Sequence, residues 1–205
     1  MTDEKLEGRA GVSRIEAFSD GVLAIILTIM VLELHAPEED GPMALFHLWH
    51  QIFAYVLSYL YIAIYWVNHH RLFSHARSVT NSLLWSNIAL LFTLSILPFT
   101  TAFVGKHLSS AFASAVYLAS LLGPAGAYYW LQQVIQRSGA QDAETQSYHR
   151  ATTRKGLAAA AIYALAIPLC YVSSGIGLTL AGLVALFWVL PWGPLDRLFM
   201  GKKAP

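Results

Sequence analysis

Residues 78–105 read SVTNSLLWSNIALLFTLSILPFTTAFVG, and none of these 28 side chains is Asp, Glu, Lys or Arg. A bilayer core about 30 Å thick is crossed by ~20 helical residues, so a run of this length is one span with its flanks. Residues 41–70 and 107–136 are equally free of charge. Residues 156–195 form a charge-free run long enough for two spans, with Ser173-Ser174-Gly175-Ile176-Gly177 as the turn near its middle. In hydrocarbon every backbone amide must find its partner inside the protein, which leaves helices or closed barrels. These runs are continuously apolar and do not alternate over ~10 residues as barrel strands do. The fold class expected is all-α.

Working outward, a first and more polar span at about 14–35 brings the number to six. The others fall at about 46–69, 82–104, 110–135, 153–172 and 176–194, in a single transmembrane domain over residues 1–205. Ser13 with Glu16 fits a capping box opening the first helix. Gly41-Pro42 separates the first two spans, Gly105-Lys106 marks a turn after the third, and residues 136–152 are the one long polar connection. No cleavable leader is expected, because Met1-Thr2-Asp3-Glu4-Lys5 is charged with mixed sign and no small-residue cleavage site follows span one.

Composition agrees: 56% of residues are hydrophobic and 12% charged, where a soluble chain carries about 25% charged. Twelve of the thirteen Lys and Arg fall on one side of the expected membrane, and Lys106 stands alone on the other with Glu38, Glu39 and Asp40. Positive charge collects on the cytoplasmic side. A multi-pass protein of the cell membrane with both termini cytoplasmic is therefore expected. All six Trp lie near span ends, where indole rings sit at the headgroup level. A net charge of +1 with no basic face argues against a nucleic-acid partner. Cys170 is the only cysteine, so no intramolecular disulfide can form.

The chemistry concentrates in the first span, which carries Asp20 toward its middle. An ionised Asp at the bilayer centre costs at least ~2.5 kcal/mol on insertion scales, so it should face protein or water and have a partner. Arg14 lies about 240° around the same helix, so the partner is expected from another helix. A shallow Asp20 at the interface is the plainer alternative. Ile25, Ile29 and Leu32 form one stripe with Thr28 beside it; the spacing fits lipid-facing packing as well as a constriction that gates by dewetting. Trp66, Asn68, His69, His70 and Arg71 end span two level with Asp20, and Asn87 begins span three there. His69, His70 and His75 lack a facing Cys or acid at ligand spacing, so no metal site is expected. His47 and His50 have no matching pair on another span to hold a haem. No acid, base and nucleophile converge, so no enzyme is expected.

The pattern Arg14-x-x-x-Phe18-Ser19-Asp20, followed by Ile25-Ile26-Leu27-Thr28-Ile29-Met30-Val31-Leu32-Glu33-Leu34 and then Trp66-Val67-Asn68-His69-His70, resembles the transmembrane protein 175 family of potassium channels. The resemblance covers essentially the whole chain by length and span plan; spans four to six add only topology. It implies a homotetramer whose first helices line a central pore without a carbonyl filter. Ile25 would be the narrow hydrophobic ring, Ile29 and Leu32 further rings, and Thr28 a polar layer. Arg14, Phe18, Ser19 and Asp20 would join Trp66, His69 or His70, and Asn87 in the network that holds the pore helix. Permeant potassium and the bilayer would be the partners, with no cofactor. A secondary cation transporter using Asp20 and a non-transporting membrane scaffold are the alternatives; internal repeats and broken mid-membrane helices, usual in transporters, are not evident in the sequence.

Overall fold

The computed structural model describes residues 3–138 and 143–189. Among them every regular element is a helix: α1 (Asp3–Leu32), α2 (Pro42–His47), α3 (Trp49–Phe73), α4 (Asn81–Ser95), α5 (Leu97–Lys106), α6 (Ala111–Ser138), α7 (Ala143–Leu169) and α8 (Ser174–Val189). Four stretches are long and apolar enough to cross a membrane: Gly8–Leu32, Trp49–Phe73, Asn81–Lys106 and Ala111–Ser138. Ser174–Val189 is a shorter apolar helix. Trp192 and the end of the sixth expected span lie outside the described residues.

Several local expectations are corrected. The first helix does not open at a Ser13 capping box, because α1 already runs from Asp3. Gly105 and Lys106 are not a turn but the end of α5. A Cβ on Gly105 would stand 3.2 Å from the Gln51 backbone, so the missing side chain lets α5 lie against α3. The polar connection 136–152 is helical from Ala143 onward. Gly175 and Gly177 belong to α8, and the turn before it spans residues 170–173.

The third expected span is two helices in line. α4 opens on Thr80, whose hydroxyl accepts from the Leu83 amide at 3.1 Å. It stops at Ser95, and α5 restarts with Pro98 in its first turn. A proline has no amide proton and crowds the preceding turn, so the break falls just before it. α4 and α5 both pack on α6, and α1 packs on α3, α4 and α5.

Between helices the core combines apolar packing with hydroxyl contacts. Thr101, Ser58 and Tyr117 hydrogen-bond in series across α5, α3 and α6 at 2.7 and 2.9 Å. Tyr163 of α7 donates to Tyr61 of α3 at 3.0 Å, and Tyr61 donates to the Ala181 carbonyl of α8 at 2.6 Å. At Gly177, an added Cβ would collide with the Cys170 sulfur and stand 3.0 Å from Leu118 Cδ1, so α8 approaches α6 and α7 closely there. Small residues at such crossings let helices in lipid gain dispersion contacts.

Two outcomes follow for the fold. Gly177→Val should destabilise the protein by about 1–3 kcal/mol, the usual cost of overpacking. Gly182→Ala, where a Cβ meets nothing within 4 Å, should be neutral or mildly stabilising; thermal melting in detergent checks both. The second concerns His149, in the polar first turns of α7, which is 2% exposed with neither ring nitrogen hydrogen-bonded among the described residues. Burial, and then His75 whose ring centre lies 5.3 Å away, push its pKa down to about 4. The unfolded chain takes up a proton near the ordinary value of about 6.5 while the folded state stays neutral. The contribution of His149 is therefore full above pH about 6.5 and is lost as pH falls toward about 4. His149→Phe should flatten the melting temperature over that range; an unchanged slope would place the acid sensitivity elsewhere.

Candidate functional site

α1 and α3 run antiparallel, so a step of four residues along one is matched by a step of four back along the other. Glu16 meets His70, with Oε1 and Nδ1 2.7 Å apart. Four residues on, Asp20 accepts from the Trp66 indole at 2.9 Å. Both contacts are on the accessible side of the seam, and Trp66 is stacked on His70 with ring centres 6.3 Å apart. The partner expected for Asp20 does come from another helix, as an indole N–H rather than an arginine.

Beneath these two contacts is a buried one. Ser19, His69 and Asn87 are each at most 1% exposed. Ser19 donates its hydroxyl proton to the Ile15 carbonyl at 2.8 Å. Its oxygen accepts from Asn87 Nδ2 at 2.9 Å, which leaves Asn87 Oδ1 to face His69 Nε2 at 2.8 Å. The amide oxygen can only accept, so His69 carries its proton on Nε2. His69 Nδ1 is then an acceptor, buried without a partner among the described residues. Three helices, α1, α3 and α4, are joined through one asparagine.

This seam sets the rotation of α1. Val12, Ile15, Ser19, Leu23, Ile26 and Met30 are buried, one stripe at helical spacing. On the other side Arg14, Phe18, Gly21, Ile25, Thr28, Ile29 and Leu32 are all exposed within the chain; at 100° per residue they share a face about 100° wide. Phe18 is 60% exposed, Ile25 59% and Leu32 74%. The Thr28 hydroxyl donates to the Ile25 carbonyl at 2.8 Å, so its oxygen lone pairs are left toward the open side. Beside this face, Val22, Ile25, Ile29, Pro98 and Phe99 line an open groove of about 490 Å³ at the α4–α5 break.

Of the residues singled out in the sequence, the structure brings together Ser19, Asp20, Trp66, His69, His70 and Asn87. It does not bring Arg14 and Phe18 to them within one chain: about 140° and 100° of rotation separate these two from Ser19, and Arg14 has no polar partner among the described residues. Glu16 is the member that sequence reasoning missed. Its signal was the matched spacing, 16 and 20 against 66 and 70. His75 turns away, with Nδ1 against the Arg71 carbonyl at 2.9 Å, and no group of three metal-ligating side chains exists among the described residues.

Residues 14–98, the segment that carries the whole seam, match the family described as endosomal/lysosomal potassium channel TMEM175. A potassium channel of Chryseobacterium sp. (strain P1-3) is 38% identical over 178 residues, which is 87% of this chain and 92% of that protein. The chain belongs to the TMEM175 family. A potassium channel of Streptomyces collinus is 35% identical, with 85% of this chain and 90% of that one covered. The endosomal/lysosomal proton channel TMEM175 of Homo sapiens shares 30% over 99 residues, 46% of this chain and 20% of that protein. The crystal structure of a lysosomal potassium-selective channel TMEM175 homolog from Chamaesiphon minutus superposes with a TM-score of 0.78 at 28% identity, covering 87% of this chain and 96% of that one. TMEM175 proteins are ion channels of membranes and not enzymes, and this chain has their helical fold.

Removing the central asparagine should cost most. Asn87→Leu strands a buried Ser19 oxygen and a buried His69 N–H, a penalty of about 1–3 kcal/mol for each group. Trp66→Phe removes a partly exposed bond and should cost about 1 kcal/mol or less. Melting of both variants in detergent tests the order. His69→Leu added to Asn87→Leu should destabilise less than the sum of the two singles, and strict additivity would mean that the bond is not formed.

Proposed function

We propose that this chain is one subunit of a homotetrameric potassium channel, with six transmembrane helices in its single domain and α1 lining a central pore. The observation that carries the reading is the uncovered face of α1: its own subunit buries the Ser19 side and leaves Ile25, Thr28, Ile29 and Leu32 open. A helix this apolar, anchored through a polar seam on the opposite side, is suited to face symmetry mates across an axis. The relatives matched along most of their length carry the name potassium channel, which favours potassium as the permeant ion here.

In this reading the fifth span is the apolar part of α7 from about residue 153, the sixth is α8, and both termini are cytoplasmic. The polar seam then lies at the cytoplasmic end of α1, where Arg14 and Phe18 stand on the pore face and Arg14 draws its partner from a neighbouring subunit. Ile25 forms the narrow ring, with Ile29 and Leu32 as further rings toward the outside. Aliphatic rings offer an ion no ligands, so conduction requires them to widen and wet. Thr28 supplies the one layer of oxygen lone pairs near the constriction. Selectivity then rests on pore width, these oxygens and helix dipoles, and is weaker than a carbonyl filter provides.

Potassium flux into proteoliposomes tests the assignment. The chain should pass potassium down its gradient without saturating at low millimolar concentration. Ile25→Asn should raise the flux several-fold while the tetramer, measured by size-exclusion light scattering, stays intact. Unchanged flux with normal assembly would remove Ile25 from the pore. Saturable flux that depends on Asp20 would point to a transporter, and near-complete exclusion of sodium in reversal potentials would contradict the filter-free mechanism.

A further inference from the structure

A cavity of about 130 Å³ lies between α3, α6, α7 and α8, with no part of α1 in its wall. Two glycines open it. Gly126 of α6 and Gly156 of α7 both line it, and a Cβ added to either would meet no atom within 4 Å. Tyr129 and Leu157, 42% and 55% exposed, lie on its rim, so the cleft opens sideways toward the surroundings of the helices.

The cleft is graded along its length. α3 and α6 finish, α7 begins and α8 finishes at the same end, and there the wall is polar, with Asn68, Gln132, Thr152 and Thr153. Deeper in, toward Ala159 and Tyr163, it is apolar apart from tyrosine hydroxyls, of which that of Tyr163 is donated to Tyr61. From Thr152 to Tyr163 the axial distance is about 16 Å. Beside the polar end stands a cation. The Lys155 ammonium lies 4.5 Å over the Phe187 ring and 5.1 Å over that of Trp188, itself a wall residue. Cation, then hydroxyl and amide, then hydrocarbon wall is the order met along a phospholipid from phosphate to acyl chain. Basic pockets between helices at the cytoplasmic surface select anionic headgroups in this way.

We propose that this cleft seats an acyl chain of an anionic phospholipid, with the lipid phosphate held at Lys155. The volume sets how much of the chain enters: a 150 Å³ apolar cavity takes a benzene-sized guest, so a segment of one chain fills the space between Gly126 and Gly156. The remainder lies along Leu157 and Tyr129. The site rests on the chain being embedded in a bilayer and is independent of where the pore runs.

The test is thermal melting of the purified full-length protein in mild detergent with added phosphatidylglycerol, phosphatidylcholine or inorganic phosphate. Phosphatidylglycerol should raise the melting temperature several degrees more than phosphatidylcholine, and phosphate should raise it not at all. Gly156→Leu fills the cleft and Lys155→Gln removes the headgroup charge; each should abolish at least half of the difference between the two lipids. Should Gly156→Leu fail to fold, Gly126→Leu takes its place, with native mass spectrometry counting retained phosphatidylglycerol. Equal shifts with both lipids, a full phosphatidylglycerol response in both variants, or a shift with phosphate alone would overturn the proposal. None of these readouts depends on ion flux.

Discussion

The hydrogen bonds from Asn87 to Ser19 and to His69 tie α1, α3 and α4 together, and the rotation of α1 depends on them. In hydrocarbon no water stands by to replace a lost partner, so a buried hydroxyl, amide and imidazole must find one another. Meeting that demand leaves α1 little rotational freedom. Turning the helix by one residue, about 100°, would carry Ser19 away from Asn87 and leave the buried Asn87 Nδ2 without its acceptor. With Ser19 held inward, Phe18, Ile25 and Leu32 must point outward. A short polar contact thereby decides which aliphatic side chains the subunit leaves uncovered.

The remaining helices serve that placement by close approach. Apolar burial alone does little to join helices in lipid, where the surroundings are as apolar as the side chains. The chain relies on small residues at crossings, Gly105 against Gln51 and Gly177 against Cys170, and on hydroxyl contacts such as Ser58 with Tyr117 and Tyr61 with Tyr163. The break before Pro98 interrupts the third span beside α1, and the groove along Ile25 and Ile29 lies at that break.

Much of this was readable in the sequence, and the reason is physical. Charge-free runs report membrane helices because desolvating a charge is costly, and that cost depends little on tertiary context. Asp20 demanded a partner for the same reason, although geometry alone did not choose Trp66. Punctuation was less legible. Ser13 with Glu16 has the spacing of a helix start, yet α1 already runs from Asp3 and Glu16 meets His70 instead. Gly105 has the look of a turn but serves a helix crossing. The first turns of α7 are too polar for hydropathy to distinguish from a loop, and packing against α6 makes them helical. Arg14 shares the sequence pattern with Ser19 and Asp20, but its angular position on α1 separates it from the seam. Local spacing indicates which residues share a helix face; which neighbour covers that face is settled only by packing.

The polar seam also makes α1 mechanically uneven. Its directional bonds lie at Glu16, Ser19 and Asp20, while from Leu23 to Met30 it is held by non-directional packing. Ser19 and Leu32 are about 20 Å apart along the axis, so a tilt of about 5° about the pinned end displaces Leu32 by roughly 1.7 Å and leaves Asp20 nearly still. The helix is hinged like a door, with the least travel where the bonds are and the widest swing at the far aliphatic edge.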